Sequence, residues 1–146
     1  MNLQEIMQYS HFTVLGNTEN PEKYAYKIKE ELIQKGYTVA CVDKQYKSIN
    51  DVPFDIDVLD ICMNPAKAYK LIEETTKNIK AAIIQPGAES EELKNLLSNK
   101  QIPYIEGCAL VGLRLYAKKA SSFSKSFHFC FISGKILKQS FSLVKG

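Results

Sequence analysis

Short apolar runs and amphipathic stretches alternate between Phe12 and Ile105, and few folds accept that rhythm. Residues 12–16 (FTVLG) read as a buried strand, followed by the polar turn Asn17-Thr18-Glu19-Asn20. A helix is predicted from Pro21, whose fixed φ suits the first helical position, with Asn20 as N-cap. Tyr24, Ile28 and Leu32 recur on its inward face, and Gly36 ends it. Residues 37–42 (YTVACV) form a second predicted strand. After a polar linker over 44–52, residues 57–63 (DVLDICM) form a third. Asn64-Pro65 caps a second helix, with Tyr69, Ile72, Thr76 and Ile79 inward. Residues 81–84 are a fourth strand, 89–99 a helix carrying Leu93, Leu96 and Leu97, and 103–105 a short fifth strand. Strands separated by helices pair in parallel through right-handed crossovers, so the expectation is a Rossmann-like, doubly wound parallel α/β sheet of about five strands. The expected strand order is 3-2-1-4-5.

The chain of 146 residues suits one such domain, assigned to residues 1–116, with 117–146 as a basic extension. All 16 acids lie in residues 1–113 against 12 lysines, a net charge of −4, whereas 114–146 carry seven basic residues and no acid. A body without unopposed Lys and Arg is not a nucleic-acid surface. In the extension, Phe127, Phe129 and Phe131 alternate as on a strand, and Ser133-Gly134-Lys135 can turn the chain into 136–144. A terminal hairpin, an edge addition and a poorly ordered tail all stay open. No apolar run reaches the roughly 18 residues of a membrane span, and the N-terminus lacks a secretory pattern, so a cytoplasmic location is expected. Cys41, Cys62, Cys108 and Cys130 are widely spaced without a C-x-x-C pair, which favours reduced thiols over a disulfide framework or zinc site. With only His11 and His128, no metal centre is expected.

In an open parallel sheet, ligands occupy the crevice beyond the carboxyl ends of the strands where strand order reverses. Residues 16–21, 42–46, 63–65, 85–88 and 107–108 build that crevice here. Two of its turns contain Asn-Pro at a predicted helix start, and helix N-termini receive anions. Lys23 and Lys67 fall near the third helical position, where the dipole favours an acid, and a phosphate beside them would explain the placement. A plain surface lysine is the alternative reading of each. The dinucleotide fingerprint G-x-G-x-x-G is represented by Gly16 alone, and no G-x-x-x-x-G-K-[ST] loop exists. Asp43 stands where an acid grips a ribose in NAD sites.

Five segments, residues 14–26 (VLGNTENPEKYAY), 36–46 (GYTVACVDKQY), 51–65 (DVPFDIDVLDICMNP), 83–92 (IIQPGAESEE) and 107–111 (GCALV), resemble the small stand-alone CoA-binding domain proteins. These are similar to the N-terminal CoA-binding domain of the succinyl-CoA synthetase alpha subunit, and the resemblance spans about residues 10–113. It implies a Rossmann-like domain holding the ADP part of coenzyme A. By position, Gly16, Asn17, Thr18 and Lys23 would meet phosphate oxygens, with Asn20, Pro21 and Tyr24 completing that corner. Val42, Asp43 and Lys44 would flank the adenosine, and Met63, Asn64 and Pro65 would line base or ribose. Gln85, Pro86, Gly87 and Ala88 would border the pantetheine path, with Cys108 at its end. The chain departs from the family pattern at Asp43-Lys44, where relatives have Asn-Pro; Lys44 would offset the acid by pairing with the 3′-phosphate.

No Ser/His/Asp or Cys/His arrangement assembles from the sequence. His11 precedes the first strand, at the end away from the crevice, and the phosphorylated-histidine domain of the synthetases is missing from this chain. Cys41 and Cys62 read as core. Cys108 reads as a packed thiol, with a mixed disulfide to the CoA thiol as its sharper alternative. Glu89, Glu91 and Glu92 open a helix and favour its dipole; Asp57 and Asp60 read as structural. The resulting expectation is a module that binds coenzyme A or acyl-CoA without catalysis, with no nucleic acid and no membrane. An NAD(P)-binding redox enzyme or sensor using Asp43 is the alternative, and a third class is an interaction protein whose basic tail docks on a partner. A homodimer or protein partner stays open.

Overall fold

The computed structural model describes residues 1–118, 127–132 and 135–140, and its centre is a parallel five-stranded sheet. The strands are β1 (His11–Gly16), β2 (Thr38–Asp43), β3 (Ile56–Ile61), β4 (Ile79–Ile84) and β5 (Tyr104–Glu106). Helices α1 (Leu3–Ile6), α2 (Tyr24–Gln34), α3 (Pro65–Glu74), α4 (Glu91–Asn99) and α5 (Ala109–Tyr116) cover its faces. The doubly wound α/β class follows the expectation, but the order is 2-1-3-4-5 rather than 3-2-1-4-5. β3 pairs with β1 from Phe12↔Val58 to Leu15↔Ile61 and with β4 on its other side. All six β3 residues are buried, which an edge position beside β2 would not allow. The reversal of strand order therefore falls between β1 and β3, and the crevice lies over their carboxyl ends.

Alternate strand residues feed two cores. Phe12, Val14, Val39, Val58, Ala81 and Ile83 pack with Ile6, Met7, Ala25, Ile28, Leu32, Ala109 and Leu113 beneath α1, α2 and α5. Leu15, Ala40, Val42, Leu59, Ile61, Ala82 and Ile84 pack with Ala68, Ile72, Leu93 and Leu97 beneath α3 and α4. Each such large side chain contributes about 1.5–3 kcal/mol on burial. Tyr37 closes the lower rim of the first core, where burial raises its pKa; its hydroxyl donates to the Met7 carbonyl at 2.6 Å and accepts from the Lys118 amide at 3.1 Å.

Several local expectations shift. α2 starts at Tyr24 with Lys23 as its N-cap, not at Pro21 with Asn20, because Asn20 Oδ1 accepts from Glu22 N in a separate turn. Tyr24 consequently faces solvent instead of the core, at 63% exposure. α3 ends at Glu74, so Thr76 is an exposed linker residue and Ile79 opens β4. The Asn64-Pro65 start of α3 holds, with Asn64 Oδ1 accepting from Ala66 N at 2.9 Å. α1 and α5 had no counterpart in the sequence reading. In the extension, β6 (Phe127–Ile132) and β7 (Lys135–Ser140) form an antiparallel pair, so the described backbone is a hairpin. The predicted turn at 133–134 and the end of the second arm, 141–144, lie outside the described residues. Among the described residues no helix is long and apolar enough to cross a membrane.

Candidate functional site

The crevice begins where β1 hands over to α2. Gly16 ends β1 at φ +155°, and a Cβ there would lie 2.5 Å from the Cys62 carbonyl oxygen and 2.8 Å from Ala25 Cβ. Only a residue without a side chain lets β1, the exit of β3 and the first turn of α2 meet this closely. The following loop is shaped from within. Asn17 Oδ1 accepts from the Glu19 and Asn20 amides, and Thr18 is buried, its carbonyl accepting from Lys29 Nζ at 3.0 Å. Lys29 is itself 6% exposed, 3.3 Å from the Glu30 carboxylate and 4.7 Å from the Tyr26 ring centroid. The Lys23 side chain makes no cap hydrogen bond, so the first-turn amides of α2 open to the crevice without a side-chain acceptor from their own N-cap. α3 and α4, by contrast, are capped by Asn64 and Ser90.

The wall on the β2 side carries charge. Asp43 closes β2 at φ +128°, a conformation a non-glycine residue adopts only under constraint. The constraint is visible: Asp43 N donates to the Tyr46 carbonyl at 2.8 Å, and the Cys41 amide donates to Gln45 Oε1 at 2.9 Å. The Asp43 carboxylate meets Lys67 Nζ at 2.9 Å. Lys67 does occupy the third position of α3, as expected, but Asp43 offsets its unfavourable placement at the helix dipole. A cavity of about 290 Å³ beside this pair is lined by Asp43, Lys47, Lys67, Lys70, Leu71 and Glu74, while Lys44 is exposed on the turn outside that lining.

Beyond β3 the site becomes a small cavity of about 150 Å³, lined by Tyr24, Cys62, Gln85, Pro86 and Cys108. One layer beneath it, Asp60 is completely buried, with Oδ1 accepting from Gln85 Nε2 at 2.6 Å and Oδ2 without a hydrogen-bond donor among the described residues. Burial outweighs the Gln85 hydrogen bond and lifts the Asp60 pKa to about 7. Burial, with Asp60 and Cys108 adding, pushes the Cys62 thiol up to about 12. Cys62 is thus not the core thiol expected of it; it follows β3, half-buried, on the cavity wall. Asp60 fits a structural role within the sheet, and it is tied to the cavity through Gln85.

Every predicted position at the carboxyl ends of the strands is found there, divided between two sides. Gly16, Asn17, Thr18, Lys23, Tyr24, Gln85, Pro86 and Cys108 gather around the α2–α5 side. Met63 and Ala88 pack against the α3–α4 core, and Asn64 and Pro65 line a cavity of about 590 Å³ with Ala66, Tyr69, Lys70, Ser90 and Glu92. Asn20, Pro21 and Gly87 are exposed on the rim, and Val42 is buried under the Asp43 turn. Sequence reasoning missed Lys29, although a lysine at the apolar spacing Ala25, Ile28, Leu32, Ile33 was a usable signal. Asp60 was read as structural, and its complete burial beneath the site was not foreseen. Lys29→Met is expected to weaken the loop by about 1–2 kcal/mol, since a charge-assisted hydrogen bond to a carbonyl is lost. Amide exchange over residues 17–22 should accelerate about tenfold or more while β3 amides stay protected; unchanged exchange there would remove Lys29 from this role.

The sequence profile described as CoA binding domain matches residues 10–114. Among solved structures, a conserved hypothetical protein from Pyrococcus furiosus is 26% identical, with a TM-score of 0.63 over 73% of this chain and 99% of that one. A Thermus thermophilus protein is 24% identical, with a TM-score of 0.70 over 78% of this chain and 98% of its own. A hypothetical protein from Pyrococcus horikoshii OT3 is 20% identical, with a TM-score of 0.71 over 78% and 89%. The last two are likenesses of fold. No curated protein matches the chain.

Proposed function

Because this chain belongs to the CoA-binding domain family, we propose that its crevice holds coenzyme A, or an acyl-CoA, by the ADP moiety and without catalysis. The observation that carries this reading is the start of α2: a helix N-terminus at the β1–β3 reversal, uncapped by its own side chain and reached over Gly16. The diphosphate rests on the amides of that first turn, with Asn17, Thr18 and Lys23 around it. Val42, Asp43 and Lys44 flank the adenosine, Met63–Pro65 border base or ribose, and Gln85–Ala88 follow the pantetheine arm. A ligand with about four negative charges meets a body of net −4, so attraction is local, from helix ends and lysines. The ligand domain is assigned to residues 1–116, with 117–146 as an extension outside the binding role.

The NAD(P) alternative needs Asp43 free to grip a ribose, and Asp43 is engaged by Lys67 at 2.9 Å. Thermal shift separates the two. Saturation at about 100 times Kd adds about 2.7 kcal/mol of stability, so CoA should raise the melting temperature by several degrees and NAD or NADP should not. Dephospho-CoA should protect less than CoA, and Lys44→Ala should erase the difference. If Lys67→Ala erases it instead, the 3′-phosphate sits in the Lys47–Lys67–Lys70 cavity. Equal protection by NAD and CoA would overturn the CoA reading.

A further inference from the structure

The 150 Å³ cavity between the N-termini of α2 and α5 is lined by two cysteines, one on either side of Gln85. Cys62 follows β3 and Cys108 follows β5, with the end of β4 between them. The two thiols are not equivalent. Cys62 lies deeper and is held as a thiol by burial, its pKa pushed up to about 12. Cys108 is the half-exposed N-cap of the eight-residue α5, its side chain engaged in no cap hydrogen bond. Cys108 thus stands at a helix N-terminus on the cavity wall.

Beneath the lining lies an unpartnered carboxyl oxygen. Asp60 on β3, two residues before Cys62, leaves Oδ2 buried without a hydrogen-bond partner among the described residues. Its other oxygen is bound to Gln85, which lines the cavity. A buried carboxyl oxygen in that state calls for a partner that the described residues do not supply. The reach also fits. From the α2 corner at β1 to Cys108 after β5 the path crosses β3 and β4, three strand spacings of about 4.8 Å, or about 14 Å. An extended pantetheine arm of about twelve chain atoms equals about four residues of extended backbone, again about 14 Å.

We propose that this cavity seats the sulfur end of the ligand and that Cys108 undergoes thiol–disulfide exchange there with coenzyme A disulfide; the proposal rests on the CoA reading above. Cys108 gives its proton to solvent, and the thiolate attacks one sulfur of the disulfide. A Cys108–S–S–CoA bond forms as the ligand's S–S bond breaks. The departing CoA thiolate keeps the electron pair and takes a proton from water. One protein thiol is oxidised and one equivalent of CoA is reduced, so no other oxidant enters.

The test incubates the reduced, full-length protein with coenzyme A disulfide or with glutathione disulfide, followed by intact-mass measurement and peptide mapping. One CoA adduct is expected, on Cys108, forming about tenfold or more faster than the glutathione adduct because the bound ADP moiety raises the local concentration of the disulfide. Excess ADP should remove that advantage. Cys62→Ser should retain the adduct and Cys108→Ser should lose it. A thermal shift by CoA without an adduct, an adduct on Cys41, Cys62 or Cys130, or equal rates with the two disulfides would overturn the exchange and leave the CoA reading standing. No shift by CoA in the wild-type protein would overturn both.

Discussion

Gly16→Ala is expected to lower stability by about 3–4 kcal/mol and the melting temperature by about 10–15 °C, and to abolish protection by CoA. Two effects combine. The added methyl would stand 2.5 Å from a backbone oxygen of Cys62, which no rotamer change relieves, and 2.8 Å from Ala25 on α2. At φ +155° an alanine is strained as well. Gly87→Ala isolates the second effect, because a Cβ at Gly87 meets nothing within 4 Å and only its φ of +92° is disfavoured. It should cost about 1 kcal/mol. Denaturant titration of both variants checks the contrast; similar losses would mean that the close approach at β1 and β3 is not what demands glycine.

Asp60 gives the second large effect, and its sign is unusual for a carboxylate. With its folded pKa lifted from 3.8 to about 7, the native state holds a proton that the unfolded chain has released across that interval. Stability from this group is therefore complete below about pH 4, declines as pH rises toward 7, and is level above it. A shift of about three units corresponds to about 4 kcal/mol over the whole window. Asp57, whose pKa falls, acts in the opposite sense: burial works to raise it, but Lys80, the His11 and Ser10 amides and the His11 ring together prevail. Its window lies below pH 4, so urea midpoints from pH 4.5 to 8 report on Asp60. Asp60→Asn should flatten the profile and gain about 1–3 kcal/mol at pH 8, less than the full 4 because its amide N–H is left unpaired. A wild-type midpoint that climbs from pH 5 to 7 would contradict this account.

The strands and the class of fold were legible because apolar runs such as FTVLG and YTVACV have no other use in a chain of this size. Strand order was not. It depends on which neighbour completes the burial of β3, and the linker from 44 to 55 permits either side. Helix starts were misplaced where two asparagine turns compete: Asn20 closes a turn of its own, whereas Asn64 caps α3. The crevice positions were readable from topology and from the family resemblance. The surroundings of Lys29, Asp60 and Cys62 were hidden for a common reason, that each is a polar or reactive side chain placed where spacing alone assigns core. Their meaning comes from partners distant in sequence, Thr18 for Lys29 and Gln85 for Asp60.

The closeness of β1 and β3 at Gly16 has an evolutionary consequence. Where peptide groups form the bottom of a crevice, there is no side chain to exchange, so that part can change little without loss of the fold. Divergence in what is bound must then accumulate around the perimeter, at Tyr24, Asp43, Lys67 and Cys108, where substitutions alter chemistry and leave the scaffold intact.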